Sequence, residues 1–185
     1  VQSPGQMGVD VTRWGADAVA AAGHKWLLGP WGAGFLYVDR DVAEELTPGT
    51  VGYRGVTTPD AAQIEYEPGA KRFEVGTTTP AAHVALLEGI DAIESVGVQA
   101  IEDRIERLPD RFKSGVDDDR LLSPRGFESG LVTVAADDPE ATVARLADRG
   151  IVVRSLPDPH AVRVSIHAVT AEQEVDAAVD ALRQA

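Results

Sequence analysis

Cysteine is missing from all 185 residues. That excludes disulfides, thiolate metal sites and a cysteine nucleophile within this chain. Basic residues are scarce: 17 Lys and Arg stand against 30 Asp and Glu, a formal net charge of −13. Only Lys25, Lys71 and Lys113 are lysines. Such a balance argues against a nucleic-acid partner, because phosphate binding needs a basic face. No apolar run is long enough to cross a bilayer, and no basic segment leads into an apolar one at the start. The expected reading is therefore no membrane segment, no export signal and a cytoplasmic location. Internal repeats and low-complexity linkers are lacking too. The chain opens at Val1 without a helix start signal and is expected to begin inside a larger fold.

What is present is a chain 44% hydrophobic, enough to build a core and too much for disorder. Its length fits one domain or parts of two. The acidic residues are spread along the sequence, which reads as a halophile's solvated surface, with a merely acidic mesophile as the alternative. Self-repulsion of this size keeps a protein soluble but weakens its compact state at low salt.

Periodicity and punctuation place the elements. Ala16 to Ala22 is an apolar run between Gly15 and Gly23 that fits a buried strand, although so many alanines leave helix open. A Gly- and Pro-rich loop runs from Gly23 to Gly34, and Phe35-Leu36-Tyr37-Val38 reads as a strand. Asp39 is a cap for a short helix over Val42 to Leu46, stopped by Pro48-Gly49. The irregular stretch Thr47 to Thr79 is long enough to be functional or interfacial. Thr79-Pro80 starts a helix carrying Val84, Leu87, Ile90 and Ile93, which Gly97 ends. A second amphipathic helix carries Ile101, Ile105 and Leu108. Beyond Gly115 the pattern is strand (Leu131 to Ala135), a helix capped by Asp138-Pro139, strand (Ile151-Val152-Val153) and an alternating strand (Val162, Val164, Ile166). A last helix follows, with Thr170 and Gln173 as its capping box. This βαββα run predicts an antiparallel α/β unit, distinct from the earlier part, with the change near residue 97.

One lysine is oddly placed. Lys25 ends an apolar run inside a Gly-rich turn, whereas lysine usually sits on the surface. Either it snorkels at a strand end, or its neutral amine is wanted as a nucleophile for a Schiff base. Placement alone favours the former. His83, His160 and His167 are too scattered for a metal site or a proton relay, so no metal is expected.

The string Gly23-His24-Lys25-Trp26, followed by Gly29-Pro30 and Gly32-Ala33-Gly34-Phe35-Leu36-Tyr37-Val38, resembles the cofactor-lysine segment of class V aminotransferase-like enzymes. That group includes cysteine desulfurases, selenocysteine lyases and isopenicillin N epimerase-like proteins. The resemblance implies that Lys25 holds pyridoxal phosphate as a Schiff base and that His24 contacts the cofactor phosphate. Two residues before His24, where many members carry a hydroxylic phosphate ligand, stands Ala22. Val1-Gln2-Ser3 resembles the end of the family's Asp-x-x-Gln segment, which assigns Gln2 to the cofactor's ring oxygen; the paired aspartate would precede Val1. Arg72-Phe73-Glu74-Val75-Gly76-Thr77 resembles the R-F-E-x-G-T loop. In dimeric members Gly76 and Thr77 of such a loop reach the neighbouring subunit's cofactor phosphate. Arg163, in Val162-Arg163-Val164-Ser165-Ile166-His167, resembles the arginine that grips the substrate carboxylate, a role suited to its rigid fork.

These likenesses span nearly the whole chain but only the C-terminal half of a family member. They imply an α/β fold, the C-terminal part of the aspartate-aminotransferase-like (type I) pyridoxal-phosphate transferase fold. Residues 1–97 would be the end of the large cofactor-binding domain, with an incomplete sheet, and 98–185 the small α/β domain. They imply a homodimer with a cofactor site shared across the interface and an amino-acid substrate, processed by a transaminase, lyase or epimerase. A cysteine desulfurase that passes sulfur to its own cysteine is disfavoured, because Ser155 to Ala161 contains none. The rival expectation is a non-catalytic remnant acting as a binding or dimerisation module.

Overall fold

The computed structural model describes residues 1–126 and 129–184. The chain forms two compact units, Val1–Ser95 and Val96–Ala185. In the first unit a short helix α1 (Val11–Trp14) precedes strand β1 (Ala18–Ala22). Strand β2 (Gly34–Val38) pairs antiparallel with β1, with Ala18 opposite Val38 and Ala22 opposite Gly34. The incomplete sheet expected of the large domain is, in this chain, an antiparallel two-stranded ribbon. The Gly23–Ala33 connection carries no crossover helix, and a parallel return needs about a dozen residues or more. Nor is β1 the buried strand expected, since only Ala21 in it is fully buried. Its two-stranded sheet leaves Phe35 and Leu36 of β2 exposed.

Helix α2 (Arg40–Glu45) follows, and the Asp39 carboxylate caps it by accepting from the Asp41 N–H at 2.9 Å. One 3-10 turn (Gly69–Phe73) interrupts the otherwise irregular stretch before α3 (Pro80–Val96). Of the predicted stripe Val84, Leu87, Ile90 and Ile93, only Ile93 is fully buried, and the inward face is completed by Leu86 and Gly89. Val84 and Leu87 are both 58% exposed. Helical spacing shows that a face exists, but the partner decides which face is covered, and here the partner needs a glycine.

The second unit begins with α4 (Val98–Ser114). This helix runs through Pro109, although proline removes a helical hydrogen bond. Ile105, Leu108 and Phe112 are fully buried on one face, and their burial outweighs the lost bond. Strand β3 (Leu131–Ala135), helix α5 (Pro139–Ala147), strands β4 (Arg154–Leu156) and β5 (Ala161–Ser165), and helix α6 (Glu172–Arg183) complete the unit. The sheet is antiparallel in the order β3-β5-β4. Val132, Val134, Val162 and Val164 point from it into a core closed by Phe112 and Leu182. Asp138 caps α5 by accepting from the Ala141 N–H, as its Asp-Pro pair predicts.

Two local expectations fail in this unit. Ile151, Val152 and Val153 are not a ladder strand: the Ile151 N–H donates to the Leu146 carbonyl and closes α5, and pairing starts at Arg154. Ile151 and Val153 pack on the core while Val152 stays 91% exposed. Thr170 does not cap α6. Its hydroxyl accepts from the His167 N–H, and the Glu174 carboxylate instead accepts from the Ala171 N–H at 2.7 Å.

Candidate functional site

Strand β1 delivers the chain into a loop that holds its own shape. The Gly23 N–H donates to the Ala33 carbonyl, and the Gly29 N–H donates back to Gly23, both at 2.9 Å. Leu28 sits at φ 59°, a left-handed conformation that costs a branched side chain energy and tends to mark functional loops. Two further segments press on this loop without room for a side chain. A Cβ on Gly89 of α3 would lie 2.5 Å from the Leu27 carbonyl oxygen. One on Gly5, itself at φ 90°, would lie 2.2 Å from the Trp26 carbonyl oxygen.

Lys25 stands exposed on this braced loop. Among the described residues its ammonium has no hydrogen-bond or ion-pair partner. The other two lysines are engaged. Lys71 pairs with Glu67 at 2.7 Å, and buried Lys113 donates to the Gly126 carbonyl at 2.9 Å. Beside Lys25, the His24 imidazole stacks on Trp31 with ring centroids 3.7 Å apart and planes 14° from parallel. Gln2 is brought to the same loop, since its side-chain oxygen accepts from the buried Trp26 indole N–H at 3.3 Å. The amide NH2 of Gln2 is left as a donor, while its backbone carbonyl accepts from Gln6. Gln2, distant in sequence, is therefore bonded to the residue that follows His24 and Lys25.

Gly76 and Thr77 belong to another cluster of the first unit. The Thr77 hydroxyl bonds the Tyr53 hydroxyl, and Glu74 pairs with Arg54 at 2.8 Å. Beneath them Arg72 is only 6% exposed. Its guanidinium donates to the carbonyls of Ala43 (2.7 Å) and Glu67 (3.2 Å) and pairs with Glu44. The Gly69 N–H, and then Arg72, hold the Glu44 carboxyl below its ordinary value. Arg72 is thus a clamp between α2 and the 3-10 turn that sets the loop carrying Gly76.

Arg163 lies in the second unit on the central strand β5, opposite Thr133 on β3 and Arg154 on β4. It is half-buried, and its Nε is buried without a hydrogen-bond partner among the described residues. An orphaned guanidinium donor is costly unless a ligand completes it. Among the described residues no cluster of His, Asp and Glu could hold a metal ion. No helix described is long and apolar enough to cross a membrane.

Sequence reasoning missed three contributors. Trp31 looked like a loop residue, Tyr53 fell in an irregular stretch, and the environment of Arg72 comes from carbonyls that only folding gathers. The one available signal was an aromatic set between Pro30 and Gly32 beside the lysine motif.

The whole arrangement is that of the C-terminal part of a type I pyridoxal-phosphate transferase fold, with the end of a large domain followed by a small α/β domain. The chain belongs to the aminotransferase class-V family, whose model matches residues 1–178. It is 31% identical to a probable cysteine desulfurase of Pyrococcus abyssi, over 99% of this chain and 50% of that protein. It is 32% identical to the isopenicillin N epimerase of Streptomyces clavuligerus, over 97% of this chain and 50% of that protein. Among solved structures it resembles the cystine C–S lyase C-DES in complex with its reaction product cysteine persulfide. That match has TM-score 0.86 and 29% identity, covering 98% of this chain and 50% of that one. The chain spans about half the length of the curated relatives it matches.

Proposed function

We propose that this chain carries the cofactor lysine and the substrate arginine of a pyridoxal-phosphate enzyme acting on an amino acid, of transaminase, lyase or epimerase type. The observation that carries the reading is Lys25: the lysine without a partner among the described residues stands on a braced, strained loop beside His24 and Gln2. The site chemistry fits the cofactor. Lys25 supplies an amine for its aldehyde, Gln2 retains amide donors for its ring oxygen, and the stacked His24 ring keeps both nitrogens without a partner among the described residues, as a phosphate ligand would need. When bound, pyridoxal phosphate supplies an electron sink for charge developing at the substrate α-carbon. Lys25 would hold the cofactor, and its amine would be the base that moves the proton at that carbon. Arg163 pairs its fork with the substrate carboxylate and limits the geometries that react.

Gly76 and Thr77 are assigned to the cofactor phosphate of a second subunit, in a homodimer with shared sites. The exposed apolar side chains of the first unit, Phe35, Leu36, Val84 and Leu87, support such assembly. Without a cysteine in Ser155 to Ala161, the chain has no acceptor there for a persulfide on the protein, which favours a reaction needing none. A cytoplasmic location belongs to the same reading.

Borohydride trapping tests it. The protein is incubated with pyridoxal phosphate in high salt, reduced and digested, and the pyridoxyl group is located by mass spectrometry. The expected adduct is on Lys25, with Lys71 and Lys113 spared and no adduct at that site in K25A. Equal labelling of the three lysines, or none, would show that this chain forms no cofactor site.

A further inference from the structure

Trp31 presents a problem that the cofactor reading leaves unsolved. It is 80% exposed, a large aromatic held in water at the turn between Pro30 and Gly32. An aromatic of that size normally covers most of its surface. What it does cover is one face of His24, at 3.7 Å and 14° from parallel. Gly32, at φ 89° and with open space around its Cβ position, turns the chain directly after it. The loop therefore spends an exposed indole on orienting one imidazole.

A stack of this kind constrains the imidazole in a specific way. It closes a face of the ring and resists rotation about χ2, while the two nitrogens at the edge stay open. Among the described residues neither His24 nitrogen has a hydrogen-bond partner. Two other histidines differ: His83 Nδ1 lies 3.1 Å from the Thr79 carbonyl, and His167 Nδ1 accepts from the Val169 N–H. His24 is thus oriented by packing alone, with its polar edge in reserve, as an anion ligand requires.

We propose that Trp31 is a positioning residue whose stacking on His24 aims the imidazole edge at the cofactor's phosphate, so that Trp31 governs recognition of the phosphate and not of the pyridine ring. This rests on the assignment of the Lys25 loop to pyridoxal phosphate. It also accounts for Ala22: where the usual hydroxyl is lacking, a rigidly aimed His24 carries more of the phosphate contact.

The experiment compares binding of pyridoxal phosphate and of pyridoxal, which lacks the phosphate, to the native chain, W31A and W31F by absorbance titration in high salt. His24 ring-proton shifts are followed by NMR in the absence of cofactor. W31A is expected to weaken pyridoxal phosphate about 3- to 10-fold, the range an aromatic stack supports, and to leave pyridoxal unchanged. W31F should restore most of the difference. The His24 ring protons should move downfield in W31A as the indole ring current is lost, with His83, His160 and His167 unmoved as a sign that the fold persists. Equal loss of both ligands in W31A, or no loss of either, overturns the positioning role while native binding keeps the cofactor reading intact. If the native chain binds neither ligand, the cofactor reading and this role fall together.

Discussion

Adding one methyl group to Gly89 should disturb the lysine loop from a distance. In isolation Gly89→Ala favours α3 by about 1 kcal/mol through helix propensity. The new Cβ, however, would lie 2.5 Å from the Leu27 carbonyl oxygen, 3.1 Å from the Leu28 carbonyl carbon and 3.2 Å from the Gly29 nitrogen. All three are backbone atoms of a loop already strained at Leu28, so no flexible side chain can yield. Overpacking of this kind costs about 1–3 kcal/mol, and against rigid backbone the upper part of that range applies. The net expectation is destabilisation by about 1–2 kcal/mol, which lowers the melting temperature of a unit of this size by roughly 5–10 °C. All three tryptophans, Trp14, Trp26 and Trp31, lie in the first unit, so indole fluorescence reports its transition without the second. Gly49→Ala is the control, because its Cβ would meet nothing within 4 Å. If Gly89→Ala melted at or above the native temperature, α3 would not be seated against the Lys25 loop, and the account of how that loop is held would be wrong.

Arg72→Ala should remove a buried clamp, stranding the Ala43 and Glu67 carbonyls at a cost of about 2–4 kcal/mol in the same fluorescence transition, with Arg72→Lys recovering less than half for want of the fork. A loss in R72A under about 0.5 kcal/mol would refute that clamp. His167 is half-buried, and burial pushes its pKa below the ordinary value. Its neutral form is therefore favoured by folding: the stabilisation is present above about pH 6.5 and is lost as the pH falls from there through the folded pKa. Circular dichroism melts should show the native chain losing more stability than H167Q between about pH 7 and about pH 5, and parallel losses would refute the assignment. The charge of −13 predicts a melting temperature that rises between about 0.1 M and about 2 M KCl as repulsion is screened, and a flat or falling curve would show that the acidic surface does not limit stability.

Features encoded within a few residues were legible in advance. Asp39 and Asp138 cap their helices because a short carboxylate reaches an N–H two or three positions on, whatever the rest of the fold does. The alternation Val162, Val164, Ile166 places three side chains in the core because a strand's period is a local property. The Gly- and Pro-rich loop after Gly23 was likewise readable, since its closing bonds run among Gly23, Gly29 and Ala33. What failed depended on distant partners. Whether Ile151 pairs was settled by the Leu146 carbonyl, and which side of α3 is covered by a loop that admits only Gly89. Thr170 found a nearer donor in the His167 N–H than in its own helix. The bond of Gln2 to Trp26, the burial of Arg72 and the stack of Trp31 on His24 could not be read in sequence, because each is made by folding. By itself the sequence determined most of the elements and the closed Lys25 loop, through interactions a few residues long; only the tertiary structure decided which faces are covered and which polar groups stay open, because burial depends on what the rest of the chain brings against them.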